Sequence, residues 1–329
     1  MPLPRIDPPL INSANPWASS KEDLQALYDC PHTGAVTCRT SLLKGFRHDP
    51  AIHQYTFYDP RDHSLVPKEV QDGDVPSDKS GSLNTLGYSP IPLSEYIEYI
   101  RDITSSGQST KPFVISVTGS PSEVRQCHDL IRSAQVNIPV PLCMEINLSC
   151  PNILDKPPPA YSGPALLEYL EALYSDNSAP STPVGIKTPP YTYADQFNTL
   201  ISTILSATKK HTTCPVSFIT ATNTLGSCLL LADSTSATPA LASASGAGIG
   251  GLAGAPLHPI ALGNVKTLRT MLDQHEELKA IDVIGIGGVS DKASYDRMTS
   301  VGARVVGVGT ALGREGVAVF GKILQSTSA

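Results

Sequence analysis

The sequence contains no apolar run of the roughly 18 to 20 residues that a membrane-spanning helix needs. Its opening residues, MPLPRIDPPL, lack the apolar core of a signal peptide and the Arg-rich amphipathicity of a transit peptide. They also show no amphipathic extension of the kind that lies on a membrane surface. These absences predict a cytoplasmic protein.

A basic cluster is also absent. The 329 residues carry a formal net charge of -6 at pH 7. Proteins that bind nucleic acid or anionic lipid need a concentrated positive face. We therefore expect no nucleic-acid or membrane partner, and a small molecule as the substrate.

The seven cysteines include no C-x-x-C pair. Their spacing is unlike that of the common zinc and iron–sulfur motifs. An odd number of cysteines is typical of reduced thiols in a reducing compartment rather than of a disulfide framework. We predict no metal, and a chemical role for one or two cysteines at most.

Strand-like and helix-like segments alternate along the chain. Apolar, β-rich runs recur eight times, and between most of them apolar residues recur at helical spacing. Parallel strands that are buried on both faces give such runs. The pattern predicts one α/β domain over residues 1–329, a (β/α)8 TIM barrel, with an open doubly wound sheet as the alternative. The predicted strands are 10–14, 35–38, 112–119, 142–148, 183–188, 215–222, 281–288 and 303–310.

Two segments interrupt this alternation. Residues 59–82 are polar and rich in Pro, Asp and Ser, and we interpret them as a solvated excursion between the second and third strands, with room for a hairpin. Residues 233–256 have low complexity and are either a linker or a segment whose glycine N–H groups face an anion. Ser19 and Glu22 have the spacing of a capping box for a helix predicted at 20–28.

Polar residues and glycines follow the predicted strands at their carboxyl ends, where a barrel collects its functional groups. The last two strands end in GIGG (285–288) and GVGT (307–310), at the usual phosphate site of such barrels. Small residues there leave N–H donors open to an anion, so a phosphorylated ligand is indicated. The other strand-end residues are Asn12, Ser13, Asn147, Lys187, Thr222, Asn223 and Thr224.

Lys187 lies inside VGIKTPP, a strand predicted to be buried. A charged side chain there is costly without an anionic or electron-rich partner. An ion pair would satisfy it, and so would a flavin, because a cation near N1 and the C2 carbonyl stabilises the reduced ring. No GxGxxG fingerprint follows an early strand, so bound FMN fits the sequence better than a nicotinamide cofactor.

Five motifs stand in order along nearly the whole chain: 145-EINLSCPNILDKPP-158, 185-GIKTPP-190, 223-NTLG-226, 285-GIGGV-289 and 307-GVGTALGREG-316. Together they resemble the cytosolic class 1A dihydroorotate dehydrogenases. Enzymes of that family are homodimeric FMN barrels that oxidise dihydroorotate in pyrimidine biosynthesis and pass the electrons to fumarate. The resemblance implies the same fold, cofactor, substrate, acceptor and homodimer for this chain.

The resemblance also implies roles for individual residues. Cys150 matches the family's base, which removes a proton from C5 of dihydroorotate while hydride leaves C6 for the flavin. A thiolate can accept such a proton, whereas Cys143 is expected to be an inert buried thiol. The residues that match the substrate site are Asn84, Leu86, Gly87, Tyr88, Asn147, Asn152, Asn223 and Thr224. Those assigned to the FMN site are Ser13, Ala14, Asn147, Lys187, Thr222, Gly250, Gly251, Gly287, Gly288, Gly309 and Thr310.

The chain departs from the family in three places. The first-strand motif, MNASG in the family, reads 11-INSAN-15 here, the excursion at 59–82 is longer than its counterpart, and one lysine position differs. The family carries a lysine after its second strand that touches both flavin and substrate, and 35-AVTCRTSLLK-44 has Cys38 at that position. Arg39, the next residue, would point to the opposite side of a regular strand. The departure leaves two alternatives to dihydroorotate oxidation. One is an FMN-dependent paralogue that acts on another small unsaturated ring or acid, and the other is a flavin-binding protein without activity.

Overall fold

A computed structural model describes residues 1–67, 69–105, 107, 109–152, 157–174, 180–233 and 235–325. Four sequence predictions extend beyond these ranges. The positions outside are residues 153–156 of the proline-flanked motif, residue 68 of the excursion, residue 234 of the low-complexity segment and, in the domain as a whole, also residues 106, 108, 175–179 and 326–329.

The strands of the described chain are numbered in chain order. They are β1 (Leu10–Asn12), β2 (Val36–Thr37), β3 (Tyr55–Tyr58), β4 (Gly81–Asn84), β5 (Phe113–Val117), β6 (Leu142–Asn147), β7 (Val184–Thr188), β8 (Phe218–Ala221), β9 (Leu225–Cys228), β10 (Gly250–Gly254), β11 (Asp282–Ile286) and β12 (Val305–Val308).

Eight of these strands form a parallel barrel in the order β1-β12-β11-β8-β7-β6-β5-β2. Each of the eight lies within one of the predicted segments. The (β/α)8 prediction is therefore confirmed, and the open doubly wound alternative is wrong.

The barrel strands form because their apolar residues can be buried on both faces. Every residue of β5, β6 and β7 is buried. Ile11, Val114, Cys143 and Phe218 belong to one apolar cluster, and a larger cluster packs the strands against the surrounding helices. Packing on both sides fixes the strands and thus the direction of their carboxyl ends.

The helices begin close to the residues that their patterns predict, with one correction. Ser20, not Ser19, caps the first helix: Ser20 Oγ accepts from Asp23 N (3.1 Å), and Asp23 Oδ2 accepts from Ser20 N (2.9 Å). Ser19 Oγ instead donates to the Pro16 carbonyl oxygen (2.8 Å). The helices are α1 (Lys21–Asp29), α2 (Leu93–Thr104), α3 (Pro121–Ala134), α4 (Gly163–Leu173), α5 (Ala194–His211), α6 (His258–Asp273), α7 (Lys292–Ser300), α8 (Thr310–Glu315) and α9 (Ala318–Leu324).

Among the described helices, none is long and apolar enough to cross a bilayer. The same part of the chain holds no group of three or more His, Cys, Asp or Glu side chains that could bind a metal ion.

A second, antiparallel sheet has the order β3-β4-β10-β9. The predicted excursion is the connection between its two strands β3 and β4, which pair directly from Tyr55↔Asn84 to Tyr58↔Gly81. The low-complexity segment ends in β10, which pairs with β4 from Gly251↔Asn84 to Gly254↔Gly81. Residues 250–254 are therefore sheet rather than linker.

The barrel closes between β1 and β2, where the backbone forms only one bridge, Ile11↔Ala35. The buried side chain of Asn12 completes the seam. Its Nδ2 donates to the Thr37 carbonyl oxygen (2.6 Å), and its Oδ1 accepts from Thr37 N (2.8 Å). The side-chain amide of Asn12 thus replaces a pair of backbone hydrogen bonds between β1 and β2.

Removing this amide should weaken the barrel. Asn12→Ala leaves the buried N–H and C=O of Thr37 without partners, and we expect the free energy of unfolding to fall by about 2–5 kcal/mol. Urea denaturation followed by circular dichroism measures the change. Asn137→Ala, at an exposed asparagine, is the control and should change stability by no more than about 0.5 kcal/mol. Equal stability of the two variants would contradict the proposed seam.

Candidate active site

A cleft of about 1170 Å³, counted to its open mouth, lies where the carboxyl ends of the barrel strands meet the second sheet. This space is sufficient for a nucleotide-sized cofactor and a small substrate. Residues that follow the first and the last barrel strand, and several strands between them, reach its wall, as expected for a parallel barrel. The predicted site residues on the wall are Ser13, Ala14, Asn84, Leu86, Gly87, Tyr88, Asn147, Cys150, Asn152, Lys187, Thr222, Asn223, Thr224, Gly287, Gly288, Gly309 and Thr310.

The structure does not bring Gly250 and Gly251 to this wall. A Cβ at Gly250 would lie 2.3 Å from the Asn84 carbonyl oxygen, and one at Gly251 would lie 2.2 Å from Thr224 Oγ1. The two glycines therefore allow β10 to pack against residues that do line the cleft. From the same strand Ala253 and Gly254 reach the wall.

Four asparagines on one side of the cleft form two hydrogen-bonded pairs. Asn223 Nδ2 donates to Asn147 Oδ1 (3.3 Å) and to Ser149 Oγ (2.9 Å). Asn152 Nδ2 donates to Asn84 Oδ1 (3.0 Å). These contacts orient the amides, which can offer both donors and acceptors to a polar ring.

Cys150 lies half-buried beside this group of asparagines. Burial raises the pKa of its thiol, and the backbone N–H of Asn152 and the hydroxyl of Tyr88 oppose that rise. The positive charges of Lys187 and Arg39 also lower it. Burial thus disfavours the thiolate, while these neighbours make the site more favourable to it than an apolar core would be.

Lys187 is buried in β7, with 4% of its surface exposed. Within the described residues its ammonium group has no carboxylate within salt-bridge distance and no hydrogen-bond acceptor. The ion-pair interpretation therefore finds no partner in this part of the chain. Arg39 and Arg314 line the same cleft, and no described Asp or Glu does. A chain with a net charge of -6 thus encloses a positive cleft, which favours an anionic ligand.

Glycines shape the far end of the cleft. Gly288 has φ +68°, and a Cβ there would lie 2.7 Å from His258 Cβ and 2.8 Å from the Gly254 carbonyl oxygen. Arg297 Nε donates to His258 Nε2 (3.2 Å), so His258 Nδ1 carries the proton and donates to the Gly287 carbonyl oxygen (2.7 Å). These contacts hold the Gly287–Gly288 loop in place. Its glycines leave room for a ligand where side chains would otherwise stand.

Cys38 and Arg39 have opposite environments. Cys38 is fully buried in the apolar core, whereas Arg39 lines the cleft and donates from Nη2 to the Gly87 carbonyl oxygen (3.3 Å). The sequence places Arg39 on the side of the strand opposite Cys38, and with Cys38 assigned to the family's lysine position this put Arg39 away from the cleft. The alternation is regular but has the opposite phase: Val36 and Cys38 pack toward the helices, whereas Ala35 lies in the cluster inside the barrel and Arg39 in the cleft.

An aromatic wall at the mouth of the cleft was not predicted. Trp17 and Tyr55 line the cleft, and their rings meet edge to face at 5.4 Å between centroids. Asp72, from the excursion, accepts a hydrogen bond from Trp17 Nε1 (2.8 Å) and another from the Tyr55 hydroxyl. The only available signal was that Trp17, the single tryptophan, closely follows the first strand.

Two buried polar atoms of cleft residues have no hydrogen-bond partner within the described residues. They are Thr222 Oγ1 and Arg314 Nε. Buried polar groups normally have partners. Together with unpaired Lys187 and the glycine loop, these atoms fit a ligand that has acceptor atoms and a negative charge.

The chain matches the dihydroorotate dehydrogenase family over residues 73–329. It is 31% identical over 247 residues, 74% of this chain, to a protein of Streptococcus pyogenes serotype M5 that is named provisionally as dihydroorotate dehydrogenase A (fumarate); the match covers 71% of that protein. It is 26% identical to dihydroorotate dehydrogenase A (fumarate) of Lactococcus lactis over 96% of this chain and 88% of that one.

The fold is also found among solved structures. DHODH of Eimeria tenella, in its complex with ferulenol, superposes with a TM-score of 0.66 at 15% sequence identity. The superposition covers 96% of this chain and 79% of the other. At this identity the likeness concerns the fold alone, and it agrees with the barrel described above.

The unpaired ammonium of Lys187 is expected to lower the stability of the ligand-free protein. Lys187→Met removes a buried charge and keeps most of the volume, so the ligand-free protein should become more stable by about 1–3 kcal/mol. Thermal and urea unfolding measure the gain. Lys44→Met, at an exposed lysine, is the control and should have little effect. Destabilisation by Lys187→Met would mean that the ammonium has a stabilising partner.

Proposed function

Because the chain belongs to the dihydroorotate dehydrogenase family, we propose that it oxidises (S)-dihydroorotate to orotate, with FMN as cofactor and fumarate as electron acceptor. Members of this family are FMN-dependent oxidoreductases that act on CH–CH bonds. One observation carries the proposal: a thiol, four asparagine amides and unpaired cations share a cleft that no described carboxylate lines.

The residues present fit FMN. The predicted phosphate site is formed by the Gly287–Gly288 loop and by Gly309–Thr310, whose small residues leave room for an anion. Lys187 would face the flavin ring from β7, and Thr222 Oγ1 would gain a partner. When bound, FMN supplies the acceptor for the hydride that leaves the substrate. We assign it to the single barrel domain predicted over residues 1–329.

The chain's own part in the reaction is to hold the substrate and to take its proton. Cys150, as the thiolate, accepts the proton from C5 while hydride leaves C6. The amides of Asn84, Asn147, Asn152 and Asn223 hold the N–H and C=O groups of the ring, and their mutual hydrogen bonds fix their orientation. Thr224 and the Leu86–Tyr88 turn complete the substrate side of the cleft.

Fumarate as the acceptor, a cytoplasmic location and a homodimer belong to the same proposal. The names of the Lactococcus and Streptococcus relatives include fumarate, a soluble acceptor. Association of two copies is supported by exposed apolar residues at one end of the second sheet. These are Leu229, Leu231 and Ile249, each 40–48% exposed.

The first test is spectroscopic. The protein should purify yellow, and cofactor released by acid should chromatograph as FMN. Under anaerobic conditions dihydroorotate should bleach the flavin and fumarate should restore its colour. A flavin that dithionite reduces, but that saturating dihydroorotate leaves oxidised, would overturn the proposed substrate. FAD, or no flavin after reconstitution, would overturn the proposed cofactor.

Cys150 provides the second test. Cys150→Ala should leave FMN bound and slow flavin reduction by dihydroorotate by roughly 10² to 10⁴, the range for loss of a general base. Burial raises the pKa of the thiol, so the wild-type reduction rate should rise with pH through the alkaline range. Cys150→Ser should keep some activity, with its profile moved to higher pH. Stopped-flow absorbance measures these rates, and wild-type rates in the alanine variant would exclude the role.

A further inference from the structure

Arg39 reaches the cleft because it stands on the inner side of the segment that continues β2, opposite Cys38. Cys38 N still donates to the Val114 carbonyl oxygen of β5 (3.0 Å), but Arg39 N donates to the Ala18 carbonyl oxygen (2.9 Å). Ser41 N then donates to the Ser116 carbonyl oxygen of β5 (3.0 Å), so the chain stays beside β5 on both sides of Arg39. The alternation of side chains along this segment keeps Cys38 in the core and directs the Arg39 side chain into the cleft.

The guanidinium of Arg39 uses only part of its hydrogen-bonding capacity. Its one side-chain hydrogen bond in the described structure is the 3.3 Å contact with the Gly87 carbonyl oxygen. It has no acidic partner within salt-bridge distance among the described residues. A half-buried guanidinium with spare N–H groups favours a ligand that brings its own negative charge.

The groups around Arg39 could bind the carboxylate of a planar ligand. Gly87 and Tyr88 line the same part of the cleft, and the backbone N–H groups of both lack acceptors among the described residues. The N–H of Leu86, in contrast, already donates to Asn84 Oδ1 (3.2 Å). Two free backbone donors and a guanidinium can together hold the two oxygens of a carboxylate.

Arg39 also lies near the proposed base. Burial raises the pKa of the Cys150 thiol, and the charge of Arg39 is one of the neighbours that lower it. Asn152, paired with Asn84, also donates to the Leu86 carbonyl oxygen (2.9 Å), next to the Gly87 that Arg39 contacts. A ligand held by its carboxylate at Arg39 would thus bring its ring beside these asparagines.

We propose that Arg39 is the cation that binds the substrate's carboxylate and thereby selects acidic ligands over neutral ring analogues. The inference rests on the proposed function and adds a residue to it. It also accounts for Cys38: the charge that relatives carry at that position is supplied one residue later. Cys38→Lys is then expected to place a charge in the core rather than in the cleft.

Two ligands that differ only in the carboxylate test the proposal. Isothermal titration calorimetry on the flavin-loaded protein compares orotate with uracil, its counterpart without a carboxylate. Arg39→Met should weaken orotate binding by roughly 30- to 1000-fold and change uracil binding by less than about twofold. Arg39→Lys should fall between, because it keeps the charge without the planar fork. Arg47→Met, at an exposed arginine nearby, is the matched control and should bind both ligands as the wild type does.

Each result of this experiment either supports or overturns the proposed role of Arg39. Unchanged orotate binding in Arg39→Met, or an equal loss of orotate and uracil, would overturn the proposal, as would a wild-type protein that binds no orotate. Arg39→Gln, which can keep the hydrogen bond to Gly87, replaces the methionine variant if that variant does not fold. Orotate that binds through Arg39, in a protein whose flavin dihydroorotate does not reduce, would support this inference and contradict the proposed function alone.

Discussion

The seam between the first and second strands determines much of the site. Asn12 joins β1 to Thr37 of β2 by two hydrogen bonds where backbone pairing is short. Ser13 and Ala14 follow Asn12 directly, and Arg39 lies two residues beyond Thr37. The same buried amide thus closes the barrel and sets the positions of two cofactor candidates and one cation. A change at this seam would move the groups that follow these two neighbouring strands relative to each other.

The second constraint is electrostatic. Lys187 and Arg39 face the cleft from different strands, and neither has a carboxylate partner among the described residues. Unpaired charge in a partly buried site opposes folding, so the protein retains it at the expense of stability. A ligand with negative charge at two places, a phosphate-bearing flavin and a carboxylate, would offset that cost. Stability and binding are therefore expected to respond in opposite directions when Lys187 is replaced.

The fold and most of the cleft could be predicted from sequence because both follow local rules. Apolar runs marked the barrel strands, and strand ends marked residues such as Lys187 and Asn223. Long-range pairing could not be predicted: β4 meets β10 from a distant part of the chain, and that pairing places Gly250 and Gly251 behind the wall. The direction of Arg39 could not be predicted, because the short run 35–38 does not reveal which of its alternating side chains face the helices and which face the cleft. The helix cap was displaced by one residue because two adjacent serines, Ser19 and Ser20, meet the same requirement.

A crystal structure of the protein with FMN and orotate would test the proposed arrangement. We expect the orotate carboxylate to lie against Arg39 and the Gly87–Tyr88 backbone, the ring to lie among the four asparagines beside Cys150, and the flavin ring to lie near Lys187. We also expect the FMN phosphate at the Gly287–Gly288 and Gly309–Thr310 loops. A carboxylate turned away from Arg39, or an orotate ring that does not contact the asparagines, would contradict it.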